Sequence, residues 1–316
     1  MATRYSLVVP VYRNEAAIPA LVAALADLHR ELGGALEVVL VVDGSPDRSL
    51  EALAAALPAT GIRAKVLELA RNFGAFAAIR AGLIEAAGPY YAVMAADLQE
   101  PPELAREFFR ELETDTCDVV FGVREGRDDP LASRAAATMF WAIYRGLVQP
   151  EMPKGGIDVF GCNQRARDAL VAFDEAHSSL VGQLVWIGMR RAEVPYRRRA
   201  RAHGASGWTL RKKLKYMLDS CLAFSDLPIR MLFGFGMLAL AVALAFAAVV
   251  LVARLTGLIS EPGYATTVLL IAGFGALNAL GLSVVGAYAW RAFENTKGRP
   301  LAIVRQRYTF GEGAQP

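Results

Sequence analysis

The chain has 316 residues, 54% of them hydrophobic and 21% charged, with a formal net charge of +3. That length suffices for roughly two domains and a large core, and a mean hydropathy of +0.32 excludes a disordered or low-complexity chain. Three scattered cysteines, Cys117, Cys162 and Cys221, exclude both a disulfide framework and a zinc site.

The first residues lack the charged-then-apolar pattern of a signal peptide, so the N-terminal part is expected to stay in the cytoplasm. Tyr5–Val11 is a short β-branched run that predicts a buried strand. Ile18, Leu21, Val22, Leu25, Leu28 and Leu32 then recur at helical spacing, and Gly33-Gly34 ends that helix. Further strands are predicted at Glu37–Val42, Ala64–Leu69, Tyr90–Ala95 and Asp118–Gly122, with helical patterns near Phe76–Ala87 and Glu103–Glu113. Strands alternating with helices imply an α/β domain with a mostly parallel sheet covered on both faces. Ligands bind such sheets beyond the carboxyl ends of the strands.

From Arg190 to Lys215 the composition turns basic, with ten Lys/Arg against one acid, Glu193. Its second half, continued to Trp208–Phe224, alternates apolar and basic residues, as a helix lying in a membrane interface does. An ordinary solvated face would read similarly, but here an apolar span follows directly. Between Arg230 and Arg254 lie 23 uncharged residues, and between Glu261 and Arg291 another 29. Each exceeds the roughly 20 residues that cross a bilayer core as a helix. Basic residues crowd the outer flanks, so both termini are expected in the cytoplasm with the hairpin loop facing out. The division this gives is a catalytic domain over 1–206, an amphipathic helix over 207–229, a two-helix hairpin over 230–291 and a tail over 292–316.

Four predicted strand ends carry polar clusters: Pro10-Val11-Tyr12-Arg13-Asn14-Glu15, Asp43-Gly44-Ser45-Pro46-Asp47, Arg71-Asn72-Phe73-Gly74 and Asp97-Leu98-Gln99-Glu100. One Asp-Gly-Ser would be a common turn; four clusters on one sheet edge are a site. With VVPVYRNE (8–15), VDGSPDRS (42–49), ARNFGAFAAIRAGL (70–83), ADLQEPPEL (96–104), GVREGR (122–127), RRRARAHGASGW (197–208) and KGRPL (297–301), nearly the whole chain resembles the family 2 glycosyltransferases of GT-A fold. Within them it resembles the polyprenyl-phosphate enzymes that include dolichol-phosphate mannose synthases.

The resemblance implies a nucleotide-sugar donor, a polyprenyl-phosphate acceptor, a membrane location and Mg²⁺ or Mn²⁺, with no nucleic-acid partner. It leaves open a homo-oligomer such as a tetramer. Pro10, Tyr12, Glu15, Asp43, Arg71 and Asp97 would bind the donor, Asp43 through its carboxylate to base or ribose. Glu15 reads equally well as an acid at a helix N-terminus. Asp97 and Gln99, at i and i+2 of an extended segment, would offer two oxygens to the cation; the alternative for Asp97 is a helix N-cap. The family's first acid is replaced by Ala95 in this motif and by Val42 before Asp43. Arg124, Arg127 and Arg134 would grip phosphates, where a planar fork pairs two oxygens at once. Arg198, Arg201 and Ser206 would form an acceptor-side loop, beside the plain reading of that run as a lipid anchor. Asp158 stands where inverting members place a candidate catalytic carboxylate. UDP-glucose and undecaprenyl phosphate are the first expectation, GDP-mannose with a dolichol-type lipid the alternative. A catalytically weakened binding subunit is the rival of another class, while a flippase would need a polar path that the two spans lack.

Overall fold

The computed structural model describes residues 3–125, 142, 144–146, 148–153, 156–175, 178–199, 210–225, 227–256 and 263–311. Strands β1 (Tyr5–Val11), β2 (Leu36–Val42), β3 (Arg63–Leu69), β4 (Tyr90–Val93), β5 (Val119–Arg124), β6 (Phe160–Asn163), β7 (Arg191–Tyr196) and β8 (Val304–Phe310) form one sheet, ordered β7-β5-β6-β4-β1-β2-β3-β8. The pairs β1–β2, β1–β4, β2–β3 and β5–β7 are parallel. β6 is antiparallel to both β4 and β5, and β8 to β3. Two reversals at β6 restore the direction, so β1 to β5 and β7 all end on one edge. The mostly parallel sheet expected from the alternation is what forms.

Helices α1 (Ile18–Glu31), α2 (Ser49–Ala56), α3 (Ala75–Glu85), α4 (Pro102–Glu113), α5 (Gln164–Val171) and α6 (Leu180–Trp186) cover it. Side chains of a strand alternate between faces. Leu7, Val9 and Val11 therefore meet Leu21 and Leu25 of α1, Leu53 of α2 and Phe108 of α4. Val8, Val39 and Val41 meet Ala78 and Leu83 of α3, Leu170 of α5 and Leu184 of α6. Full burial of a side chain such as Leu25 contributes about 1.5–3 kcal/mol, which fixes the register and with it the loops at the carboxyl edge. At the opposite edge, Asp118 takes bonds from Arg190 and Asn163 at 2.8–3.0 Å, which hold its carboxyl at about 2 despite partial burial.

β6 and helices α2, α5 and α6 are not among the predicted elements, and three further elements stand out against the expectations. β7 falls inside the basic window; it is an edge strand, where Pro195 costs no ladder bond, and Val194 and Tyr196 are buried. β8 lies in the segment expected as a tail. It closes the sheet beyond β3, with Arg305 paired to Glu68 at 3.0 Å and Arg307 to Glu85 at 2.8 Å. β4 stops at Val93, two residues early, because the chain leaves the sheet for a turn at Ala96-Asp97.

Helices α7 (Leu210–Phe224), α8 (Leu227–Leu255) and α9 (Tyr264–Thr296) complete the described chain. α8 and α9 are long and apolar enough to cross a membrane, with mean hydropathies of 2.1 over Leu227–Phe246 and 1.2 over Gly273–Thr296, and neither window is buried. Phe233 and Leu282, about 70% exposed, would be costly in water, so these are not core helices of a soluble protein. α7 is tied through its C-terminal half. A side chain at Gly182 of α6 would stand 2.3 Å from the Phe224 ring, so only glycine admits that ring. Arg291 of α9 donates to Asp219 of α7 at 2.6 Å.

Candidate active site

The loops after β1 and β2 are laced to each other. Arg13 adopts a left-handed conformation, φ 55°, which aims its N–H at Ser45 Oγ, 2.8 Å away. Asn14 N donates to Ser49 Oγ, Glu15 N to Asp47 Oδ2, and Arg48 N to Glu15 Oε2, all at 3.1–3.2 Å. Asp47 also accepts from the hydroxyls of Ser45 and Ser49 at 2.5 and 2.7 Å. Burial pushes its carboxyl up, but these donors outweigh burial and leave it below the usual carboxylate range. Glu15 and Asp47 are thus reciprocal clamps between two loops. Asp47 was not singled out from sequence, although it stands in the VDGSPDRS run.

Asp43 is 3% exposed. Its Oδ1 accepts from Phe73 N at 2.7 Å and its Oδ2 from Gly74 N at 2.8 Å, at the start of α3, where an acid also favours the helix dipole. Burial raises its pKa, and the two backbone donors and Arg71 oppose the rise. The carboxylate expected to meet a base or ribose therefore commits one bond from each oxygen to its own chain. Gly44, φ 56°, permits this: a Cβ there would lie 2.3 Å from the Arg71 carbonyl carbon. Pro10 lies within β1, partly buried. Tyr12, 41% exposed, carries Arg13 at 5.5 Å from its ring, and Arg71 stacks at 4.0 Å over Phe73. Tyr12, Arg13 and Arg71 are among the groups this side presents outward.

Beyond β4, Leu98 is left-handed, φ 53°, and the segment is a turn. The extended geometry expected for Asp97 and Gln99 is absent, and the i/i+2 argument does not hold. Asp97 does not cap α4 either, since the N-cap is Pro101 without a side-chain bond; its Oδ1 accepts from Gln99 N at 3.2 Å. Gln99 Oε1 accepts from Arg198 Nη2 at 2.7 Å, and Arg199 N donates to Gln99 O at 2.8 Å. Glu100, named in the Asp97-Leu98-Gln99-Glu100 cluster but given no role from sequence, is 2% exposed, with Oε1 3.6 Å from Arg198 Nε and, among the described residues, no hydrogen-bond partner for Oε2. Burial raises its pKa; Arg198 opposes the rise, and the charges of Asp97 and Asp158 add to it. Its one sequence signal is an acid set directly before Pro101-Pro102.

Arg124 ends β5, Asp158 precedes β6, and Tyr196 ends β7, so topology alone brings them together. Arg124 Nε and Tyr196 OH, the latter at 3.1 Å, both donate to Asp158 Oδ2. Burial, then the charges of Asp158 and Glu100, push the Tyr196 hydroxyl above its usual range. Asp97, Gln99, Arg124, Asp158 and Arg198 are brought to one place. Arg127, Arg134, Arg201 and Ser206 lie outside the described residues.

Among the described residues no group of three His, Cys, Asp or Glu side chains could enclose a metal ion. The turn nonetheless offers hard oxygens: Asp97, Gln99 Oε1 and the unpartnered Glu100 Oε2. That set fits a Mg²⁺- or Mn²⁺-type ion that takes its other ligands from substrate phosphates and water.

An open α/β sheet whose carboxyl edge interleaves carboxylates with arginines, followed by two candidate membrane-spanning helices, is a GT-A-like architecture. Residues 6–171 match the family described as "Glycosyl transferase family 2", and the chain belongs to that family. It is 30% identical to the uncharacterized glycosyltransferase YkcC of Bacillus subtilis over 96% of this chain and 94% of that protein. It is 31% identical to an undecaprenyl-phosphate 4-deoxy-4-formamido-L-arabinose transferase of Pseudomonas paraeruginosa, over 98% and 92%. In fold it is similar to glucosyl-3-phosphoglycerate synthase from Mycobacterium tuberculosis, solved with Mn²⁺ and UDP-glucose: TM-score 0.50, 18% identity, covering 69% of this chain and 79% of that one.

Proposed function

We propose that the protein is an inverting glycosyltransferase that moves a hexose from a nucleotide sugar to a polyprenyl phosphate at the membrane surface. UDP-glucose is the proposed donor and undecaprenyl phosphate the proposed acceptor. The observation that carries this reading is the attachment of the carboxyl-edge site to two apolar helices at both of their outer ends. α7 is docked on Gly182 before α8 begins, and β8 joins the sheet after α9 ends. With two crossings, both outer ends lie on the side of the catalytic domain. The basic flanks of the hairpin support a cytoplasmic position for that side. The Pseudomonas relative, by its name an undecaprenyl-phosphate transferase, shares this whole length.

In the reaction, Tyr12, Arg13 and Arg71 face the nucleotide, on loops that Asp43, Asp47 and Glu15 hold in shape. Asp97, with Gln99 and Glu100, would hold the divalent cation. When bound, that ion neutralises charge on the departing diphosphate. A phosphate monoester has a second pKa near ~6, so the acceptor is largely ionised at neutral pH and needs no strong base. Asp158, already accepting from Arg124 and Tyr196, orients Arg124 toward phosphate oxygens. Arg127, Arg134, Arg198, Arg201 and Ser206 complete the acceptor side.

Thermal melting of the full chain in detergent, with UDP-, GDP-, CDP- and dTDP-sugars and Mg²⁺ or Mn²⁺, tests the donor. A ligand at 100 times its Kd stabilises the folded state by about 2.7 kcal/mol. UDP-glucose with the cation is expected to raise the melting temperature; a rise with GDP-mannose alone would refute the donor assignment.

A further inference from the structure

The turn after β4 gathers the Asp97 carboxylate, the Gln99 side-chain oxygen and the Glu100 carboxyl, 2% exposed and with an Oε2 that has no hydrogen-bond partner among the described residues. Arg198 reaches into this turn from beyond β7. Its Nη2 donates to Gln99 Oε1 at 2.7 Å and its Nε stands 3.6 Å from Glu100 Oε1. The guanidinium therefore occupies oxygens that a hard divalent cation would take. Two positive charges cannot share those oxygens without strong mutual disfavour.

The surroundings let the side chain leave while its backbone stays. Residues 198 and 199 are anchored by the Arg199 N to Gln99 O bond of 2.8 Å, and Tyr196 is anchored on Asp158 at 3.1 Å. The Arg198 side chain itself is one-third exposed, so it has an open side to turn into. The other cation at the cluster, Arg124, is held by Asp158. Among the described residues, Arg198 is the cation that meets Gln99 and Glu100 in the turn.

We propose that Arg198 is an exchangeable internal cation of this site. It neutralises the acidic turn when no divalent ion is bound and gives up Gln99 Oε1 when one binds. Its planar fork then becomes available to a phosphate monoester, the acceptor class proposed above. Only that last step rests on the proposed function; the exchange of cations is independent of which sugar or lipid is used.

The test is Mn²⁺ titration of the full chain in detergent, without nucleotide, read by the electron paramagnetic resonance signal of free Mn²⁺. Arg198→Gln keeps a donor for Gln99 and removes the charge, and should bind Mn²⁺ about tenfold more tightly than the unmodified chain. Arg198→Lys keeps the charge and should stay within about twofold of it. Melting of each variant confirms that it folds, and Arg198→Ala serves as a second neutral variant. Equal or weaker Mn²⁺ binding by both folded neutral variants, or no Mn²⁺ binding by any form, would overturn the proposal. Failure of sugar transfer to polyprenyl phosphate, with this Mn²⁺ pattern intact, would instead count against the proposed function.

Discussion

Asp97→Ala should lower sugar transfer by about 10³-fold, the upper range for deleting one group that stabilises developing charge in a closed site. Ala95 leaves Asp97 as the one acid in the Asp-x-Asp position, and Gln99 and Glu100 are engaged by Arg198. Among the described residues, the neighbouring acids are otherwise committed: burial favours the neutral form of Glu100, and Asp158 is held by Arg124 and Tyr196. The loss should appear in kcat with either Mg²⁺ or Mn²⁺, and donor binding should lose its dependence on the cation. Turnover within tenfold of the unmodified chain would place the cation elsewhere or show that none is needed.

Asp158→Asn should reduce transfer by about 10²-fold, and it should do so through Arg124. Asp158 Oδ2 already accepts from Arg124 and Tyr196, so it is an orienting acid and not a free base. Two results distinguish these roles. Arg124→Ala combined with Asp158→Asn should be no worse than Arg124→Ala alone, because residues acting as one unit are not additive. The acidic limb of the pH–rate profile should also survive Asp158→Asn. It reports protonation of the acceptor phosphate, whose ionised form is lost as pH falls through ~6. Disappearance of that limb would make Asp158 the general base.

Parts of the fold that rest on burial were legible in the residues. β1 runs over Tyr5–Val11 as its pattern predicts, because a parallel strand covered on both faces must be apolar throughout. β7 and β8 were not legible, for the opposite reason. Each is an edge strand with one neighbour, so polar residues such as Arg191, Glu193, Arg305 and Arg307 interrupt the signal. In β8 the arginines are satisfied by Glu68 and Glu85, partners that a local reading cannot supply.

The site divides in the same way. Strand ends are local, and so Asp97, Arg124, Asp158 and Arg198 could be singled out and are found together. Conformation and partnership are not local. Leu98 turns left-handed between Asp97 and Gln99, which no alternation rule foresees. The burial of Glu100 and its pairing with Arg198, from about a hundred positions along the chain, cannot be read locally. Asp43 reads as a ligand group, and nothing local reveals that Phe73 N and Gly74 N each donate to one of its oxygens.

The central claim is that a sugar passes from a nucleotide to a lipid phosphate at the bilayer surface. Full-length protein in liposomes holding undecaprenyl phosphate, given UDP-glucose labelled in the sugar and a divalent cation, tests it directly. The label should move into the organic-extractable fraction as a glucosyl phosphodiester of inverted anomeric configuration, and Asp97→Ala should abolish that movement. Label that stays water-soluble while UDP is released, or a lipid product of retained configuration, would contradict the account.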